Sequence, residues 1–315
     1  MTAPALSYVL ATDTLETVRP VLAALGRQTR AASVELVLIS PAPLELAVEP
    51  PPASLGSVRE VRCPAPLGLP EARAIGVRAA AAPIVFLGET HSYPEPELVE
   101  RLLATFDGGW SAVVPRLVNA NPSGATSWAG FLYDYGAWHA GRPAGEVAEP
   151  LVYNSAYRRD VLLGLGERLA PGLSSIDHDL WRELAATGHR AAFEPGARLR
   201  HLNVGRIGPF LRERFLCGAR FGRHRARRWP WPRRLAYAAA APLVPFVLVA
   251  RAREGVRTAF RDATPPRGTR TAAALGLVAR AAGEALGYLG LASAGVERAA
   301  TEIEVHKVRY AGSAR

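Results

Sequence analysis

Residues 69–91 read LPEARAIGVRAAAAPIVFLGETH, and the chain can be read outward from them. Small and apolar residues recur at helical spacing over 69–81, and Pro83 closes the helix. Proline lacks the N–H that a helix interior needs. Ile84–Leu87 then follow as an unbroken apolar run, the pattern of a short strand buried on both faces. Upstream, Leu6–Ala11 (LSYVLA) reads as another buried strand. Thr14 is placed to cap a helix over 15–28, which carries Val18, Val21, Leu22 and Leu25 on one face. Residues 34–39 (VELVLI) form a second strand, 41–55 a Pro- and Ala-rich loop, and 58–61 a third strand. Downstream, a helix is expected over 95–106 and a strand over 112–115. This alternation predicts an α/β fold, with a mixed, mostly parallel sheet flanked by helices. Ligands of such sheets sit beyond the carboxyl ends of the strands, here after Ala11, Ile39 and Leu87.

The totals narrow the field. The chain has 315 residues, 49% of them hydrophobic and 21% charged, enough for a full core and unlike a disordered chain. Its two cysteines, Cys63 and Cys217, lie far apart, which excludes a thiolate zinc site and argues against a disulfide framework. The opening MTAPALSYVLATDTLE lacks the basic and apolar regions of a secretory signal. The net charge of +10 is unevenly spread. Residues 1–205 hold 17 Arg and 21 acidic residues, whereas 206–315 hold 21 Lys and Arg against 7 acidic residues. Two regions are therefore expected, a catalytic domain over 1–205 and a basic, apolar helical region over 206–315. The second should face something anionic, although an Arg-only bias also follows from a GC-rich genome.

Three places carry candidate chemistry. Glu89 and His91 stand at the tip of the fourth strand, where a carboxylate and an imidazole can both enter a cleft and meet a divalent cation. As a bare triplet, Glu-Thr-His equally describes two exposed loop residues. Asp177 and Asp179 open a helix, where one can cap the first turn and the other act as a general base. His201 ends an alternating stretch after Glu194-Pro195-Gly196, and a lone histidine there is often structural.

The order of these pieces resembles the family 2 glycosyltransferases of the GT-A fold. The resemblance rests on LSYVLAT with ETVRPVLAALGRQT, then the 68–103 run around IVFLGETH, then YNSAYRRDVLLGLG, then IDHDLWRELAATGHRAAFEPGARLRH, and covers roughly residues 5–203. It implies an inverting enzyme that moves a sugar from a nucleotide-sugar to a hydroxyl of a glycan or lipid-linked acceptor, as in polysaccharide biosynthesis. By the same resemblance Glu89 and His91 fall on the family's D-x-D metal motif, with His201 completing a site for Mg or Mn. Asp177 falls on the catalytic base, with Asp179 beside it. Thr12, Glu16, Arg73, Glu89 and Asn154 fall on the donor side, Arg73 neutralising the leaving diphosphate and Asn154 lying in the acceptor-side segment. The sequence departs from the family in carrying Ser40-Pro41 where an acidic residue usually follows the second strand, and Ile176 before the base. Such losses leave open a non-catalytic nucleotide-sugar-binding subunit.

Beyond residue 206 the chain is Arg- and aromatic-rich to 234, apolar over 235–250, and mostly apolar again over 271–294. Sixteen uncharged residues, against the ~20 needed to cross, are about the length of a short or re-entrant segment, and Pro242 and Pro245 argue further against one straight helix. Trp229, Trp231 and the flanking arginines suit an interfacial anchor. Gly283-Glu284-x-x-Gly287-Tyr288 resembles a segment of membrane-associated bacterial members of the family. The expected setting is therefore the cytoplasmic face of a bacterial membrane. A helical pair packed on the catalytic domain is the plainer alternative. A nucleic-acid role for the 206–234 run ranks lower, since the front region is net acidic and no nucleic-acid module is recognisable.

Overall fold

The structure, a computed structural model, describes residues 3–139, 141–174, 179–293 and 295–312. The strands are β1 (Leu6–Ala11), β2 (Val34–Ser40), β3 (Ser57–Arg62), β4 (Ile84–Leu87), β5 (Ser92–Pro94), β6 (Ala112–Asn119), β7 (Gly145–Val147), β8 (Ser155–Arg158) and β9 (Ala191–His201). The helices of the front region are α1 (Leu15–Leu25), α2 (Leu69–Ala79), α3 (Leu98–Phe106), α4 (Ala125–Tyr135), α5 (Arg159–Leu163), α6 (Leu169–Gly172) and α7 (Asp179–Ala186). Those of the C-terminal region are α8 (Ile207–Ala226), α9 (Trp231–Ala240), α10 (Val244–Asp262), α11 (Thr269–Tyr288) and α12 (Gly295–Val305). The chain forms two compact units, Met1–Val118 with Pro143–His201, and Asn119–Arg142 with Leu202–Arg315. The longer stretch of the second unit begins at Leu202. Residues 119–142, with α4, belong to the second unit because α4 packs on α11.

The first unit holds one nine-stranded mixed sheet in the order β3-β2-β1-β4-β8-β6-β9-β5, with β7 on β9. This is the mixed α/β sheet flanked by helices that the sequence led one to expect. Strands β3, β2, β1 and β4 run parallel, and β8 enters antiparallel to β4. Every residue of β1, β2 and β4 is buried, so these strands are selected by burial on both faces. The exception in the pattern, Glu35 of β2, is made tolerable by its partners. It accepts hydrogen bonds from Ser7 Oγ and from the Ala81 N–H at 2.7 Å, and Arg59 stands 3.4 Å away. It thereby ties the loop before β4 to β2.

Helix α2 lies directly on this sheet. A Cβ at Gly76 would stand 2.4 Å from Val9 Cγ1 and 2.7 Å from Ile39 Cδ1, so only glycine allows that approach. Thr14 precedes α1 but makes no side-chain cap, contrary to expectation. The neighbouring Thr12 does the local work instead. Its Oγ1 accepts from the Thr14 N–H at 3.2 Å and pairs with Thr17 Oγ1 at 2.7 Å. Helices α1 and α2 end at Leu25 and Ala79, a few residues short of the expected bounds.

In the second unit α8 and α11 pack through glycines. Cβ atoms at Gly218 and Gly222 would lie 2.1 and 2.4 Å from the Arg280 and Glu284 carbonyl oxygens. Those at Gly283 and Gly287 would lie 2.1 and 2.5 Å from the Phe215 and Ala219 carbonyls. Two G-x-x-x-G pairs thus let the helix backbones touch. The Gly283–Tyr288 segment singled out in the sequence owes its glycines to this contact. Beside it Glu284 accepts from Arg280 Nε at 3.0 Å and from the Tyr288 hydroxyl at 3.1 Å. A small core of Ala129, Val204, Phe210, Leu216, Ala272 and Ile303 closes the unit. The 235–250 run is not one helix: Ala241–Leu243 forms a 3-10 turn between α9 and α10, where Pro242 interrupts the ladder.

Candidate active site

The parallel strands deliver their carboxyl ends to one edge, and the register converges the candidate residues there. Val9 pairs with Leu87, and the Gly88 N–H donates to the Val9 carbonyl at 2.9 Å, so the chain leaves β4 under the control of β1. Leu87 also lies opposite Ser155, which brings Asn154 to the same edge from β8. Ser92 pairs with His201 at the end of β9, which sets His201 beside His91.

Glu89, His91 and His201 are 4, 0 and 1% exposed, and one ligand atom from each lies within 4.8 Å of the others. Both imidazole Nε2 atoms approach Glu89 Oε2, at 3.4 Å from His91 and 3.5 Å from His201. The two rings meet edge to face with centroids 4.7 Å apart. Asn154 donates from Nδ2 to the same oxygen at 2.6 Å. Its backbone, at φ 57°, is in the left-handed region, and its N–H donates to the Leu87 carbonyl at 2.7 Å. Asparagine is among the few residues that take that conformation readily. Thr90 Oγ1 lies 3.3 Å from His91 Nδ1, and Ser92 Oγ donates to Glu89 Oε2 at 3.3 Å.

The other carboxylate oxygen, Glu89 Oε1, has no hydrogen-bond partner among the described residues. Its neighbour is Arg73, whose Nη2 is 3.8 Å away. Arg73 is 4% exposed and rests over the Tyr153 ring at 4.6 Å. It reaches the site from α2, one turn before the Gly76 approach. A buried carboxylate approached by two imidazoles is a donor set that can hold a divalent metal. One oxygen and two nitrogen donors suit a transition-type ion better than magnesium, which prefers oxygen throughout.

Tyr8 is a further member that sequence reasoning passed over. It is fully buried on β1, stacked on Phe86 at 4.8 Å, and its hydroxyl has no hydrogen-bond partner among the described residues. Burial, and secondarily the charge of Glu89, push its phenol far above the usual range, so it stays neutral. A Cβ at Gly88 would stand 2.3 Å from the Tyr8 ring. The only available signal was one aromatic in an aliphatic strand, LSYVLA.

The remaining candidates divide. Thr12 is buried at the end of β1 with its hydroxyl engaged in the α1 turn, as above. Glu16 lies on the exposed first turn of α1. Asp177 lies outside the described residues. Asp179 is the first residue of α7, and its side chain is likewise outside the description.

No family model matches the chain, and no curated protein does. Among solved structures, GalNAc-T7 crystallised with UDP, GalNAc and Mn2+ is similar at 15% identity and a TM-score of 0.47, over 64% of this chain and 44% of that one. Staphylococcus aureus TarS is similar at 12% identity and a TM-score of 0.46, over 82% and 55%. TarS 1–349 in complex with UDP is similar at 13% and 0.47, over 91% and 92%. The chain thus spans about half the length of the GalNAc-T7 chain and of the chain in the first of these TarS structures. At these distances residue roles do not transfer, and the site stands on its own geometry.

Proposed function

We propose that the chain is a glycosyltransferase that binds a nucleotide-sugar at the Glu89 edge of the sheet and moves the sugar, with inversion, to a hydroxyl of a glycan or lipid-linked acceptor. The observation that carries this reading is the convergence of Glu89, His91 and His201 beside Arg73 beyond the carboxyl end of β4. An anionic diphosphate needs fixed positive charge in a site shielded from water, where electrostatic stabilisation is strong. Arg73 provides it, held by Tyr153 on one side and Glu89 on the other. Glu89, His91 and His201 would hold a divalent ion, preferably Mn by donor type, and such an ion would help neutralise charge on the leaving diphosphate. Asn154 fixes the orientation of the Glu89 carboxylate. By resemblance Asp177 takes the proton from the acceptor hydroxyl. The acceptor oxygen bonds to the anomeric carbon, the bond from that carbon to the diphosphate breaks, and a nucleoside diphosphate leaves. The cytoplasmic face of a membrane is the proposed setting, supported by the exposed apolar run of Trp231–Arg251.

The deciding experiment is nucleotide release from a panel of UDP-, GDP- and dTDP-sugars with and without Mn. Release from one donor, abolished by Asp177→Asn, is expected. Binding of a nucleotide-sugar without turnover in any acceptor extract would instead indicate a non-catalytic subunit, and neither binding nor turnover would reject the proposal.

A further inference from the structure

The second unit carries apolar residues on the outside of its helices. The run Trp231–Arg251 has 21 residues, and its most apolar 18-residue window has a mean hydropathy of 1.3 and is 6% buried. Leu235, Leu243, Phe246 and Val247 are 45, 60, 73 and 45% exposed. Ala239 on α9 and Val249 (57% exposed) and Ala250 on α10 are exposed as well, so an exposed apolar stripe runs along α9, the turn and α10. The inward side is occupied: Ala241 is buried, and the Tyr237 ring lies 5.6 Å from that of Tyr288. A contiguous exposed apolar stripe of this kind marks an interaction surface.

Its surroundings identify the partner. Residues 214–253 contain ten Arg and no Asp or Glu. Arg225, Arg227, Arg228 and Arg233 are exposed ahead of the stripe, and Arg251, Arg253 and Arg257 after it. Trp231, 54% exposed, opens α9. An apolar stripe bracketed by guanidinium groups, with a tryptophan at its edge, matches a headgroup layer of negative charge above an acyl layer.

We propose that the outward face of α9 and α10 docks the second unit in the plane of an anionic phospholipid surface, without crossing the bilayer. This rests on the membrane setting proposed above and gives it a geometry. The run is long and apolar enough to cross a membrane, but its packing argues against a span. Helices α9 and α10, and the turn between them, all lie against α11, and α10 also touches α4 and Gly136–Trp138. Trp229 and Tyr237 are held on Tyr288 at 5.7 and 5.6 Å. Helix α11 is locked to α8 through the paired glycines, and α8 carries Arg212, Arg214, Arg220, Arg223 and Arg225. To span, the run would have to peel away from α11 or draw the α8 arginines into hydrocarbon, where guanidinium groups are costly. Lying flat demands neither.

The test uses the purified full chain with phosphatidylcholine vesicles, alone or with about one third phosphatidylglycerol, an anionic lipid. Co-sedimentation at least about tenfold tighter with the anionic vesicles, reversed by alkaline carbonate, is expected. Leu243→Glu with Phe246→Glu should lose that binding while keeping the wild-type helical circular dichroism. If that variant does not fold, Arg227→Glu with Arg228→Glu is the substitute and should weaken binding by about tenfold or more. Absence of binding to either vesicle would overturn both the membrane setting and the docking face. Binding that resists carbonate extraction would overturn in-plane docking while leaving the membrane setting intact. Conversion of a dimer to a monomer by the double variant, without vesicle binding, would assign the face to a second copy and overturn the proposal. Nucleotide release from a soluble donor is a separate readout, so failure of the docking face is distinguishable from failure of the enzymatic reading.

Discussion

At Glu89 the two carboxylate oxygens are in different situations. Oε2 is crowded by Asn154 and both histidines, whereas Oε1 faces Arg73 without a hydrogen bond from the described residues. Glu89→Gln keeps the shape but removes the charge. It should lower nucleotide release by about 10²-fold or more and abolish any Mn-dependent rise in melting temperature. Asn154 tests backbone and side chain separately. Asn154→Gly keeps the positive φ and removes the side-chain bond to Glu89, while Asn154→Ala also incurs about 1–2 kcal/mol of left-handed strain. The alanine variant should therefore melt below the glycine one, with both impaired in turnover. Gly88→Ala places a methyl group 2.3 Å from the Tyr8 ring. Overpacking of about 1–3 kcal/mol is expected, measurable by urea unfolding, together with reduced turnover as the Glu89 loop shifts. Glu89, His91 and His201 were readable as chemically competent residues. Their mutual distances were not, because the register of β4, β8 and β9 sets them. Tyr8 was hidden because an aromatic within a buried strand looks like ordinary core.

At the level of elements, the glycines of α8 and α11 give a test in which two effects oppose each other. By helix propensity alone, Gly218→Ala or Gly283→Ala should stabilise by about 1 kcal/mol. Each new Cβ would lie 2.1 Å from a carbonyl oxygen of the facing helix. Overpacking against backbone costs about 1–3 kcal/mol, and with no flexible group to give way the upper part of that range applies. A net loss is expected by thermal melting, and a gain would mean that the helices do not touch there. A second element-level device is the buried ion cluster. Arg214 donates twice to Asp134, at 2.8 and 2.9 Å, and lies 3.0 Å from Glu213, which Lys307 approaches at 3.4 Å. Burial by itself would raise the Glu213 carboxyl, but Arg214 and then Lys307 outweigh it and hold the group below the usual carboxylate range. A depressed folded-state value means the stabilisation is full above the unfolded carboxylate range and is lost as pH falls through the folded one. Glu213→Gln should cost about 1–3 kcal/mol at neutral pH, since Arg214 keeps Asp134 and Lys307 keeps Glu304 at 3.0 Å. The difference from wild type should narrow only in acid, as followed by denaturant midpoints across pH. The strands and helices of the front region were legible because burial on two faces leaves long apolar runs. The ends of α1 and α2 were not, since helix ends depend on local hydrogen bonds such as those of Thr12.

For the whole molecule, the charge division is the property that reaches furthest. Residues 206–315 carry 21 basic against 7 acidic residues, while 1–205 are net acidic. Attraction of the basic region to an anionic surface acts within a screening length of ~10 Å at 0.1 M salt and ~3 Å at 1 M. Vesicle binding should therefore weaken progressively as salt is raised, with an apolar remainder that persists in the wild type and disappears in Leu243→Glu with Phe246→Glu. Sedimentation over a salt series measures both parts. The sequence by itself determined the α/β class, the strand tip that bears Glu89 and His91, and the change of character near residue 205, because each depends on local composition or periodicity. Only the tertiary structure decided the rest. It drew 119–142 into the second unit through the packing of α4 on α11. It showed the glycines of Gly283–Tyr288 to be backbone contacts. It brought His201 to Glu89 across 112 positions of sequence, by a strand register that no local pattern encodes.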